Sequence, residues 1–179
     1  EQFAPVPLLE LLKHPLSAAG LPPETFRVLT RLLEQNVLRG ARPGPGLDGL
    51  QTALDGWRDE VIDRLTSSGS DNATARIERT RDDHARLTDL IERFAACLDA
   101  LSDLNADNTL APVHALHCHI TAAEALAASD TQSGADRLWR GEAGEALADF
   151  VHELLNALGE FTPMPGNRYG AFLDALMAD

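Results

Sequence analysis

Apolar residues recur every three or four positions through nearly the whole chain, and no stretch alternates with the period of two that a half-buried strand requires. The expected fold is therefore all-α. Leu8, Leu9, Leu11 and Leu12 predict a short helix over about 6–14, ended by Pro15, whose ring disfavours helical geometry at His14. The stretch "PPETF" opens a second helix, with proline tolerated in the first turn and Glu24 favoured by the helix dipole. It runs to about Leu38 through Phe26, Val28, Leu29, Leu32, Leu33 and Val37. In "RGARPGPG", Pro43 and Pro45 alternate with Gly44 and Gly46, so no regular helix continues and the segment reads as a rigid connector.

Beyond it, Leu47, Leu50, Leu54, Trp57, Val61 and Leu65 form one stripe of a helix over about 47–66. A polar loop, "SSGSDNAT", leads to a long helix over about 74–104 with the stripe Leu87, Ile91, Phe94, Leu98 and Leu101, extended less regularly to His84 and Ile77. Two such stripes joined by a short loop predict a long antiparallel helical hairpin, seam against seam, with Trp57 on the seam. After "NADNTL", a helix is expected from Pro112 to Ser129. Ser133 and Asp136, a variant capping box, open another that continues to Leu158 before Gly159. The loop "EFTPMPGN" precedes a last helix from about Arg168. The pattern reads as one domain, 1–179, an irregular multi-helix bundle with sub-elements 1–40, 47–104 and 111–179.

Charge narrows the functions. With 28 acidic and 15 basic residues the net charge is −13, which disfavours nonspecific adhesion to nucleic acid or to an anionic membrane. No apolar run approaches the roughly 20 residues that cross a bilayer. Cys97 and Cys118 show no pairing pattern and read as buried thiols of a reducing, cytoplasmic compartment. The first residues have neither an initiator Met nor a basic leader, and the last stop in an uncapped apolar pattern, so an internal piece of a longer chain is expected.

Candidate chemistry is sparse. "RLWRGEAGEAL" (137–147) lacks the preceding strand and following lysine of a phosphate loop, and Glu142 and Glu145 would repel a phosphate. Those two glutamates lie one turn apart, but no nucleophile or base motif accompanies them. Gly141, Gly144 and Ala148, at i, i+3 and i+7, read instead as a strip without bulk for close packing, with Trp139 covering its edge. In "HALHCHI", His114 shares a helical face with His117 or with Cys118, two zinc ligands in search of a third from His84, His152 or Cys97; surface and half-buried histidines without metal are the expectation. Arg76, Arg79 and Arg86 are interleaved with Glu78, Asp82 and Asp83 and read as a solvated ion-pair face. DNA contact, if there is any, falls to Arg137 and Arg140 beside Trp139, because an aromatic between cations can stack on a base. No catalytic, cofactor-binding or metal-binding residue is expected.

Three segments together resemble a known family. "PVPLLELLKHPLSAAGL", then "FRVLTRLLEQNVLRGARPGPGLDGL", and later "AAEALAASD" with "RLWRGEAGEAL", are similar in order and spacing to AddB, the B subunit of the alphaproteobacterial AddAB helicase-nuclease of double-strand break repair. The resemblance leaves the hairpin matched only by position. It implies a non-catalytic piece of the helicase-like region, similar to the 2B-type helical subdomain of superfamily 1 helicases, acting as scaffold, subunit contact or wall of the DNA channel. It also implies an AddA-like partner, DNA bound through the parent complex, and ATP, magnesium and an iron-sulfur cluster held elsewhere in that complex. Lys13 follows no glycine loop and two separated cysteines cannot hold a cluster, so no catalytic residue carries over. A stand-alone helical protein-protein interaction module is the other class the sequence allows.

Overall fold

A computed structural model describes residues 5–104, 108–159 and 161–177; the expectations for the two chain ends and for parts of the loops at 105–107 and 160 lie outside them. The fold is all-α. Among the described residues the only strand pairing is two residues long and antiparallel, Thr109 opposite Pro165 and Leu110 opposite Met164. A pairing that short has no alternation to display, so the hydrophobic pattern carries no trace of it. Two compact units emerge, Glu1–Ala95 and Ala96–Asp179, where the sequence pattern groups 1–179 together. Their boundary falls inside the stripe of one long helix, with no break in composition to mark it.

In the first unit, α1 (Pro5–Leu12) stops short of Pro15, and the Ser17 hydroxyl donates to the Leu11 carbonyl at 2.7 Å as the chain turns through Ala19 and Gly20. Leu8 and Leu12, one turn apart, are buried, while Leu11 is 41% exposed and not part of the core. Helix α2 (Pro23–Leu33) buries Phe26, Leu29 and Leu33, and a π-helical turn, Glu34–Leu38, continues the stripe with Val37 and Leu38. Val28, in the same apolar run, is 58% exposed. It stands about 200° around the helix from Phe26, so the two cannot share a core. Lys13 bridges to Glu34 at 2.7 Å and, with Arg39, holds that carboxyl below its ordinary pKa.

Helices α3 (Gly46–Ser68) and α4 (Ala73–Leu98) form the antiparallel hairpin. Gln51 donates to the Thr88 hydroxyl at 3.3 Å, and His84 Nε2 lies 2.6 Å from Asp55 Oδ1 and 3.3 Å from Arg58 Nη1, so positions rise along α3 as they fall along α4. Beside this polar edge, Leu50, Leu54, Leu65, Leu87, Leu90, Ile91 and Phe94 are buried. Arg86 pairs with Asp83 one turn away, as the interleaved charges suggest. Trp57, expected on the seam, is only half-buried and lines a cavity of 620 Å³ with Val37, Pro43 and Ala53. The Pro-Gly connector folds back there, its Gly44 so close to Gly49 that a Cβ on Gly49 would collide with it. Trp57 and the connector thus line the same cavity.

In the second unit, the last turn of α4 passes into a 3-10 helix, Asp99–Leu104, so the helix expected to 104 remains α-helical only to Leu98. Helix α5 (Pro112–Ala127) has proline in its first turn. Next come α6 (Gly134–Leu138), α7 (Gly141–Leu158) and, after a 3-10 turn at Gly166–Arg168, α8 (Tyr169–Met177). The core joins Leu116 of α5 to Leu154 and Leu158 of α7, with Val113, Ile120, Leu155, Phe172 and Leu176 around them. No described helix is long and apolar enough to cross a membrane.

The helix expected over 133–158 is broken at Trp139 and Arg140. Gly141, at the break, has φ +74°, and nothing lies within 4 Å of where its Cβ would be. This glycine supplies a left-handed turn and not close packing, which corrects half of the small-residue strip. Gly144 keeps the other half: a Cβ there would stand 2.5 Å from the carbonyl carbon of Trp139 and 2.8 Å from the carbonyl oxygen of Leu138. Its neighbours are the last residue of α6 and the turn that joins that helix to α7.

Candidate functional site

Two neighbourhoods of the second unit carry the candidate side chains, and both are built on α5. The first is the junction of α5 with α6. Ser133 caps α6, its hydroxyl accepting from the Asp136 N–H at 3.1 Å and donating to the Asp136 carboxylate at 2.7 Å. Gly134 then backs onto the Glu124 carbonyl with no room for a Cβ. That contact seats α6 on α5 and aims its side chains.

Arg137 donates to the Ala127 carbonyl at the end of α5, a cation satisfying carbonyls at the negative pole of a helix. Trp139 donates its indole N–H to the Glu124 carboxylate at 2.6 Å. Only Arg140, of the three residues proposed to touch DNA, is exposed. One face of Trp139 still borders a shallow cleft of 340 Å³ with His117, Glu124, Ala148 and His152. Glu142 and Glu145 are both exposed on α7. Glu124, the residue that orients Trp139, was not singled out by the sequence; fifteen positions away on another helix, it belongs to no local pattern.

The second neighbourhood is the first half of α5, whose histidines diverge. His117 faces the cleft with His152. His119 turns to α8, its Nδ1 3.1 Å from the Tyr169 hydroxyl and its ring edge-on to the phenol, centroids 5.8 Å apart. Burial lowers the His119 pKa, and burial, followed by the charge of Cys118, pushes the Tyr169 phenol up to about 12.

His114 and Cys118, at i and i+4, do share a face, with Nε2 and Sγ 3.6 Å apart. Their third neighbour is none of the three the sequence offers. It is Asp103, carried by the 3-10 helix that packs on α5, with its Oδ2 3.2 Å from the same His114 Nε2. The three donor atoms lie within 4.8 Å of one another. Asp103 and His114 are exposed, whereas Cys118 is 8% exposed and outside any disulfide. Burial first, then the Asp103 charge, raises the pKa of its thiol. His84 is occupied by Asp55 and Arg58, and His152 lies on the cleft. The sequence signal for Asp103 was an acidic residue just before a short loop that returns to a histidine-bearing helix. No protein-family model, curated protein or solved structure matches this chain.

Proposed function

We propose that this chain is a non-catalytic helical subdomain of the helicase-like region of an AddB-like helicase-nuclease subunit, similar to a 2B-type subdomain and acting as scaffold, subunit contact or channel wall. The three resembling segments supply the family. The scaffold role rests on one observation: Arg137 and Trp139, the side chains best suited to DNA, are committed to Ala127 and Glu124. Side chains spent on holding one helix to another have little left for a ligand. In this reading the protein is cytoplasmic, its partner is an AddA-like subunit, and the parent complex supplies ATP, magnesium, the iron-sulfur cluster and the DNA contacts.

Fluorescence anisotropy with a labelled single-stranded oligonucleotide tests the role. No appreciable affinity is expected at physiological salt. Micromolar binding that weakens steeply with salt and disappears in Arg137→Ala/Arg140→Ala would replace the scaffold with a DNA-contacting module. The coding sequence tests the family: a GxxxxGK[ST] motif is expected upstream and a cysteine-bearing nuclease domain downstream. Their absence favours the second reading, a stand-alone interaction module. Leu147 and Phe150 speak for that one, being 41% and 39% exposed and one turn apart on α7.

A further inference from the structure

We infer that Asp103, His114 and Cys118 form a binding site for a divalent transition metal, zinc foremost, that clamps the 3-10 helix Asp99–Leu104 to the first turns of α5. The inference is independent of the family reading above.

Geometry carries it. With zinc bonds of about 2.0–2.1 Å to nitrogen and oxygen and about 2.3 Å to sulfur, a tetrahedron has N···O edges of about 3.3 Å and N···S edges of about 3.6 Å. The corresponding separations here are 3.2 Å for His114 Nε2 to Asp103 Oδ2 and 3.6 Å for His114 Nε2 to Cys118 Sγ. Two edges of the coordination figure are thus already set. The helix fixes one of them through its i, i+4 spacing, and the packing of the 3-10 helix on α5 brings in the third ligand.

The competing use of a cysteine, a histidine and an aspartate is a nucleophile relay. A relay requires the thiol at one ring nitrogen and the carboxylate at the other, so that the imidazole takes a proton on one side while being held on the other. Here both groups approach Nε2. That nitrogen has either a lone pair or a proton, and alone it cannot serve a thiol donor and a carboxylate acceptor together. A cation serves all three: the imidazole gives its lone pair, the carboxylate an oxygen, and Cys118 gives up its thiol proton to solvent and binds as thiolate. The two negative ligands then balance a dication.

One sulfur, one nitrogen and one carboxylate oxygen suit zinc or its spectroscopic substitute cobalt, and not magnesium or calcium, which take oxygen ligands. Three protein ligands leave a fourth position, and the exposure of Asp103 and His114 opens it to water.

The test is a titration of the whole chain, purified without a histidine tag and stripped with chelator, using Co²⁺ and following absorption. The expected result is saturation at one equivalent with a thiolate-to-cobalt charge-transfer band in the near ultraviolet, abolished by competing Zn²⁺. Cys118→Ser should lose the band. Because Cys118 is buried and its replacement can disturb folding, the exposed Asp103→Ala is the second variant, its helicity checked by circular dichroism. It should weaken the metal by roughly 10- to 100-fold or more, no less than the loss of a residue that merely supports a ligand. His117→Gln, on another face of α5, should leave the titration unchanged. A wild-type chain that shows no charge-transfer band, or a band that survives Cys118→Ser or a folded Asp103→Ala at full affinity, overturns the site.

Discussion

The hairpin of the first unit and the α5 to α7 cluster of the second hold together by different means. Between α3 and α4, large side chains do the work: Leu54 and Leu87 are fully buried, and Gln51, Asp55, His84 and Thr88 link the two helices along one edge. Around α5 the elements are shorter and closer. Gly134 meets the Glu124 carbonyl, Gly144 meets the turn before it, and Arg137 and Trp139 reach back to Ala127 and Glu124. The first arrangement depends on volume. The second depends on the absence of volume at particular backbone atoms, so its sensitive positions are its smallest residues.

Mutation can break that contrast. The largest effect belongs to the hairpin, where Leu54→Ala or Leu87→Ala should each cost about 2–5 kcal/mol in denaturant unfolding, the range for emptying a buried leucine site. A loss near zero in both would mean that volume is not what holds the seam. In the second unit the reverse change should hurt: Gly144→Leu, whose Cβ has backbone atoms at 2.5 and 2.8 Å, should destabilise by about 1–3 kcal/mol through overpacking.

Gly141→Ala sharpens the distinction, because its Cβ meets nothing and only the φ of +74° opposes it, for about 1–2 kcal/mol of backbone strain. Gly141→Leu should then cost little more than Gly141→Ala. A much larger loss in the leucine variant would return Gly141 to close packing.

Acid should produce a smaller effect. Burial depresses the His119 pKa, so in the metal-free protein the unfolded chain takes up a proton as pH falls through about 6.5 while the folded chain resists it. This contribution is intact above that pH and is lost as pH falls toward the folded pKa. Stability of the metal-free wild type should therefore fall more on acidification over that range than stability of His119→Gln. Equal pH dependence of the two would remove His119 as the cause.

How much of this was legible in the sequence follows the same divide. The hairpin shows in the spacing of Leu50, Leu54 and Leu65 against Leu87, Ile91 and Phe94, because bulk repeated at helical intervals is what a periodic pattern records. The break at Arg140 did not show: Gly141 and Gly144 look alike as letters, and only backbone conformation separates a turn glycine from a packing glycine. Trp57 fitted the stripe and is still only half-buried, lining a cavity with the connector, whose path no local period encodes. At the candidate site, the pairing of His114 with Cys118 was legible because it lies within one helix, whereas Asp103 comes from a different element. The resemblance to AddB, and the role proposed from it, carry none of these contacts.

The positions of the two tryptophans have a practical consequence. Trp57 belongs to the first unit, half-buried beside the connector, and Trp139 to the second, where its indole N–H donates to the Glu124 carboxylate. Tryptophan emission from the chain is thus a sum of two signals, one from each unit. Trp57→Phe leaves a single tryptophan, in the unit 96–179, and Trp139→Phe leaves a single tryptophan, in the unit 1–95. Paired melts of the two variants read the unfolding of each unit separately in the uncut chain.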